Sequence, residues 1–215
     1  QGEPVTQGPL VAVLDYGIGN LRSAQKALQR VGADARLTAD HDLIAEAAGI
    51  VLPGVGAFGR CVEALEVSGL MGPARAAAAD AAEGGRLFLG ICVGMQMLFE
   101  ERGESPGAAG LSVIDGRVER LVGDVKCPQM QWNRLDGTSD GGLFAGLCEE
   151  PFMYFVHGYV GPIGPDTVAT CDYGEPLCAA VRRRNLWGVQ FHPEKSGKTG
   201  LKILANFVSM LTRKS

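Results

Sequence analysis

Three short apolar runs, Leu10–Leu14, Ile50–Leu52 and Arg86–Ile91, each end in a glycine-containing turn and are followed by helical periodicity. Runs this short, with no polar alternation, are strands buried on both faces. Strands of that kind separated by helices predict βαβ units and therefore a parallel sheet. After the first run, Leu21, Ala24, Leu28 and Val31 share one helical face, with Asn20 placed to cap the helix and Gly32 to stop it. Helical stretches follow over Cys61–Leu70 and Arg75–Glu83, and a third over 93–101 (VGMQMLFEE). Beyond Gly110 the texture changes to short strand-like runs, Ser112–Val118, Phe152–Val156, Thr167–Ala169, Leu177–Val181 and Leu186–Phe191. These predict antiparallel additions in the C-terminal half, ahead of a last helix over Leu201–Leu211. The expected fold class is α/β: a central, mostly parallel sheet flanked by helices. With no linker or repeat in sight, residues 1–8 are expected to be a flexible segment and 9–215 one domain.

Composition narrows the function classes. An apolar fraction of 46% and a charged fraction of 20% allow a packed core and exclude general disorder. A net charge of −4 argues against a nucleic-acid binder. No apolar run approaches the ~18 residues of a membrane span. The cysteines at 61, 92, 127, 148, 171 and 178 form no C-x-x-C pair, so neither a zinc site nor a disulfide scaffold is expected. A cytoplasmic protein with mostly buried, reduced thiols is the expectation. The basic stretch Arg182–Arg184 reads as a solvated turn.

Cys92 stands apart from the other five. Gly90-Ile91-Cys92-Val93-Gly94 is a G-x-C-x-G turn between an apolar strand and a helix, the cysteine form of a nucleophile elbow. Small neighbours permit the strained turn, and the N–H groups of the next helix favour a thiolate. The Val93 N–H is placed to hold an oxyanion. A catalytic thiol needs a base steadied by a third group. Of three histidines, His41 lies in a polar turn and suits a cap or surface position, His157 ends the run YFVH, and His192 opens H-P-E. Pro193 stiffens that turn, and Glu194, two residues on, can approach the imidazole. Cys92, His192 and Glu194 therefore form a candidate nucleophile, base and orienter. In PGVGAF, two glycines flank Val55 and leave its backbone free to present an N–H to developing charge, although taken alone the loop reads rather as an ordinary strand-to-helix connection.

GICVGMQ, FHPEKSG and PGVGAFG together resemble the class I (triad) glutamine amidotransferases. DYGIGNLRS, the PQMQWN segment, YFVHGY and FHPEKSGKTGLKILANF extend the resemblance, in order and spacing, to the glutaminase subunits of imidazole glycerol phosphate synthases, from about Val11 onward. The resemblance implies an enzyme that hydrolyses glutamine to glutamate and ammonia through a Cys92 thioester, without metal or cofactor. It implies catalytic roles for Cys92, His192 and Glu194, and an oxyanion hole at Val55 and Val93. Gly56, Gln96, Glu104, Gly158 and Tyr159 would hold glutamine. A (β/α)-barrel cyclase subunit would receive the ammonia, with Asn20, Met130, Trp132, Tyr154 and Lys195 at the interface. Met130 and Trp132 are expected in a polar loop, where apolar residues suit an interface or a local core. Two positions depart from the family pattern: Gln131 stands where glycine is usual, and Gly158 where a small hydroxyl residue is common, so any contact there is backbone. A glutaminase serving another synthase, a stand-alone γ-glutamyl cysteine hydrolase and a non-catalytic regulatory homologue are the alternatives.

Overall fold

The computed structural model describes residues 8–102, 109–138 and 141–212. The expected apolar runs are the middle of a seven-stranded sheet. β1 (Leu10–Leu14), β2 (Asp34–Thr38), β3 (Gly49–Gly54) and β4 (Leu87–Cys92) are parallel, in the order β2-β1-β3-β4. β12 (Leu186–Val189) continues the sheet beside β4, also parallel, although almost a hundred residues follow β4 before it. β11 (Pro176–Arg183) and β10 (Thr167–Asp172) complete that edge antiparallel. The architecture is thus the expected one, with the antiparallel strands drawn from the C-terminal half.

The helices form two groups. α1 (Leu21–Arg30) buries Ala24, Ala27 and Leu28 and packs with α6 (Gly197–Thr212), which buries Ile203, Leu204, Phe207, Val208 and Leu211. α3 (Phe58–Val67) packs with α4 (Met71–Ala82), whose buried positions are all alanine and let it lie close to β4 and β12. α2 (His41–Glu46) is short, and its cap is Asp40, whose carboxylate accepts from the N–H groups of Asp42 and Leu43 at 2.8 and 3.3 Å. His41 is the exposed first residue of that helix. Asn20 does occupy the position before α1, but it makes no side-chain capping bond; its backbone carbonyl accepts from Ala24 instead.

Three further expectations are corrected. The helix over 93–101 lasts one turn, α5 (Val93–Gln96), and the chain then extends as β5 (Phe99–Arg102). Tertiary pairing overrides helical propensity there, because Leu98 and Met97 carbonyls accept from Leu111, Val113 and Ile114, and β5 pairs with β6 (Ile114–Arg120). The PQMQWN segment is a strand rather than a loop: β7 (Gln129–Arg134) forms an antiparallel pair with β8 (Phe152–His157). The arginine stretch is not simply a solvated turn. Arg182 and Arg183 end β11, Arg183 binds Asp166 through two bonds of 3.2 and 2.7 Å, and Arg184 makes the turn. β9 (Tyr159–Val160) joins β6 to give a small sheet, β5-β6-β9. Of the segment 1–8 expected to be flexible, residues 1–7 lie outside the described residues.

The close approach of the turn after β4 to β3 depends on glycine. A Cβ on Gly94 would meet the Leu52 carbonyl oxygen at 1.9 Å, whereas one on Gly72, at the start of α4, meets nothing within 4 Å. Gly94→Ala is therefore expected to cost ~3 kcal/mol and lower the Tm by roughly 10 °C, from overpacking that no flexible side chain can relieve. Gly72→Ala should gain ~0.4–1 kcal/mol. Thermal unfolding of the two variants checks the contrast.

Candidate active site

Three adjacent strands deliver the chemistry to one edge. β3, β4 and β12 run side by side in register, Gly54 opposite Cys92 and Val189 opposite Ile91, so their carboxyl ends lie level. From β3 the chain enters the Val55 loop, from β4 the Cys92 turn, and from β12 the segment that carries His192. Ligand sites in open parallel sheets form at such an edge. Cys92 has φ +55° and ψ −111°, a conformation that costs a non-glycine residue and marks a nucleophile elbow. The strain is tolerated because Gly90, Gly94 and Gly54 leave room: a Cβ on any of them would fall within 3.0 Å of the turn or of β3.

His192 is held from three sides. Its Nδ1 lies 2.7 Å from Glu194 Oε1, and the two side chains are 1% and 2% exposed. Its backbone N–H donates to the Tyr154 carbonyl at 2.9 Å, and its own carbonyl accepts from the Ser196 hydroxyl at 2.5 Å. Ser196 Oγ also accepts from the Tyr154 N–H at 3.0 Å, so β8 braces the whole turn. Burial disfavours a charged ring, but Cys92 and then Glu194 outweigh it and push the His192 pKa up to about 10. Nε2, the nitrogen left for the thiol, is buried without a hydrogen-bond partner. A thiol beside an imidazole that is itself backed by a carboxylate can hand over its proton, attack a carbonyl carbon and have that proton returned to a leaving group.

A cleft with a volume of about 60 Å³ opens beside the sulfur, lined by Val55, Gly56, Cys92, Val93, Gln96, Val156, His157, Gly158 and Tyr159. At ~10–15 Å³ per water that is room for about four to six water-sized groups, the scale of a side-chain amide and its nearest methylenes. The structure thus gathers Cys92, Val55, Val93, Gly56, Gln96, Gly158 and Tyr159, all anticipated from the sequence, around one space. Val93 begins α5, where helix N–H groups have no partner within the helix. The Val55 loop is tied down by the Cys61 thiol, which donates to the Val55 carbonyl at 3.3 Å, and by the Tyr16 hydroxyl, which donates to Pro53 at 2.5 Å. Glu104 lies outside the described residues. Asn20, Tyr154 and Lys195 are not part of the cleft lining, and Met130 and Trp132 are exposed on β7.

Two buried residues of the site have structural roles that the sequence did not assign. Gln190, the second residue before His192, is fully buried beside Cys92. His157 is a polar core residue rather than a second base. Its Nδ1 lies 2.8 Å from the Tyr159 carbonyl, so Nδ1 carries the proton. Nε2 lies 2.7 Å from Gln129 Oε1, while the Gln129 NH2 group is buried without a partner; turning that amide over lets it donate to a neutral ring. Burial lowers the His157 pKa to about 4, the Tyr159 carbonyl opposes this and the charge of His192 adds to it.

A family model described as "Glutamine amidotransferase class-I" matches residues 12–211. The chain belongs to this family. Among curated members, "Imidazole glycerol phosphate synthase subunit HisH" of Syntrophotalea carbinolica is 45% identical over 210 residues, which cover 94% of this chain and 100% of that protein. The protein of the same name from Deinococcus radiodurans is 45% identical over 208 residues, covering 95% of each chain. That of Halobacterium salinarum is 47% identical over 211 residues, covering 94% of each. Two solved structures share the amidotransferase fold. One, described as "Crystal structure of glutamine amidotransferase", superposes with a TM-score of 0.72 at 21% identity over 94% of this chain and 98% of that one. The other, "Structure of PurLQS from Thermotoga maritima", gives 0.69 at 22% over 95% and 99%.

The amidotransferase site makes a pH-dependent demand through His157. Its ring stays neutral in the folded protein down to about pH 4, whereas in the unfolded chain it protonates near ~6.5. Stability from this residue is present above that upper value and is lost as pH falls through the window. Urea unfolding at pH 7 and pH 4.5 should show wild type losing roughly 2–2.5 kcal/mol more than His157→Gln.

Proposed function

We propose that this chain is the glutaminase subunit of an imidazole glycerol phosphate synthase, acting in histidine biosynthesis. The observation that carries the chemistry is the Cys92–His192–Glu194 constellation on the level ends of β4 and β12; 45% identity over nearly the full length to proteins of that name carries the pathway. The Cys92 sulfur attacks the side-chain carbonyl of glutamine. The N–H groups of Val93 and of the Val55 loop receive the oxyanion. His192, steadied by Glu194, passes the proton to the departing ammonia, and water attack on the thioester releases glutamate. Gly56, Gln96, Gly158 and Tyr159 line the substrate cleft, Gly158 through its backbone, and Glu104 pairs with the substrate ammonium. No metal or cofactor enters this scheme.

A partner subunit follows from what lies beside the cleft. Met130, Trp132 and Phe152 are 62%, 51% and 47% exposed on the β7–β8 pair, and the Trp132 ring lies 6.0 Å from that of Tyr154, tilted by 58°. That apolar face adjoins the strand that braces His192, where a cover would keep ammonia from water. The occupant is a (β/α)-barrel cyclase subunit, contacted also by Asn20 and Lys195. It uses the ammonia to form imidazole glycerol phosphate and aminoimidazole carboxamide ribotide. A cytoplasmic location agrees with six free cysteines and with the absence, among the described residues, of any helix long and apolar enough to cross a membrane.

A glutaminase assay with and without the cyclase and its ribonucleotide ligand tests this directly. Strong stimulation by the partner is expected; none with a competent partner would sink the reading. Cys92→Ala should abolish glutamine-dependent synthesis and leave synthesis from added ammonia intact. Glu194→Gln should retain on the order of a hundredfold more activity than Cys92→Ala, because an orienting carboxylate contributes less than the nucleophile. Trp132→Glu, which puts a charge in the apolar face, should weaken association with the cyclase at least tenfold in a titration while Cys92 remains open to alkylation.

A further inference from the structure

Two buried side-chain amides connect the nucleophile to the wall of the cleft, and their polarity can be worked out from a single fixed group. The Tyr159 backbone carbonyl can only accept, so the Gln96 NH2 group donates to it, at 3.1 Å. The same NH2 group donates to Gln190 Oε1 at 3.1 Å. With its oxygen engaged there, Gln190 turns its own NH2 toward Cys92 Sγ, 3.7 Å away. Both amide hydrogens of Gln96 are thereby spent, and what this residue offers the cleft it lines is an oxygen, an acceptor. Gln190 is 0% exposed, and its backbone N–H is tied to Ala179 of β11 at 2.9 Å, so its side chain is held at this place by the sheet. A wholly buried carboxamide is costly to desolvate unless both of its ends are used, and here both are.

We infer that Gln190 is a positioning residue that sets the polarity of the Gln96 amide, so that the cleft welcomes a carboxamide and repels a carboxylate. This deepens the glutaminase reading and rests on it for the identity of the substrate. A carboxamide brings N–H donors to the Gln96 oxygen, whereas the carboxylate left after hydrolysis brings only lone pairs. Without Gln190 the Gln96 amide loses a partner that distinguishes its two ends and can turn its NH2 group to the cleft. The same residue touches the sulfur, so nucleophile and amide recognition share one hydrogen-bonded unit.

Iodoacetamide and iodoacetate test the idea on the full-length chain without requiring glutamine turnover. They share a leaving group and a size and differ in presenting a carboxamide or a carboxylate. The rate of Cys92 alkylation by each, read by peptide mass mapping, gives an amide-to-acid ratio. In Gln190→Met that ratio should fall about tenfold, the scale of one hydrogen bond. In Gln190→Glu, which keeps an acceptor facing Gln96, it should stay at or above the wild-type value. General loosening of the core would change both rates together and leave the ratio alone. A ratio within twofold of wild type in Gln190→Met, or a fall in Gln190→Glu, overturns the inference, and the second result decides it even where the methionine variant does not fold. A wild type with the expected ratio but no stimulated glutaminase activity would reject the proposed function while leaving the selection of an amide in place.

Discussion

The backbone of Cys92 sits at a positive φ, and the rest of the site depends on what keeps it there. Such a conformation costs on the order of 1–3 kcal/mol, so it persists only where the surroundings leave no alternative. Here they do so by contact. The turn is pressed against the end of β3, with Gly94 so close to the Leu52 carbonyl that even a methyl group is excluded. The sheet hydrogen bonds of β3 and β12 hold β4 from both sides. Sulfur, first helical N–H and Val55 loop therefore occupy fixed relative positions before any substrate arrives.

The base is positioned by a different means. His192 and Glu194 form a buried pair, which in general contributes little net stability but is severely destabilising when one partner is removed. What the pair provides is orientation: Glu194 fixes Nδ1, so Nε2 is left to face the thiol. Ser196 and Tyr154 lock the backbone around it through three hydrogen bonds of 2.5 to 3.0 Å. The strand supplying two of these, β8, also exposes Phe152 and half-buries Tyr154 on the apolar face beside the cleft.

Much of this was legible in the sequence, and the exceptions have a common cause. Continuous apolar runs announce strands buried on both faces, and glycines on either side of a cysteine announce the elbow, because both are local consequences of steric and solvation rules. The early end of α5 is not local: Met97 and Leu98 leave the helix because a segment near Leu111–Ile114 claims their carbonyls. β7 escaped because its outward face, with Met130 and Trp132, breaks the usual polar-out alternation. The roles of Gln190 and His157 are hidden for the same reason, since a polar residue in an apolar run has no assignable role until its partners, Gln96 and Gln129, are brought to it by the fold. The triad itself lay between these extremes. Its members were nameable from short motifs, but a separation of one hundred positions between Cys92 and His192 meant that only the placement of β12 against β4 could join them.

That placement governs the order in which the molecule can be made. β12 is the last strand among the described residues, yet it lies inside the sheet, between β4 and the β11–β10 edge. While the chain is being synthesised, β4 and its strained cysteine must wait with one edge unpaired until residues near 190 emerge, and the long sequence separation makes this closure a slow step. A truncated or stalled product therefore exposes a sheet edge and lacks a base. Hydrolytic competence arrives with the insertion that completes the sheet, so a half-made chain has no means of releasing ammonia.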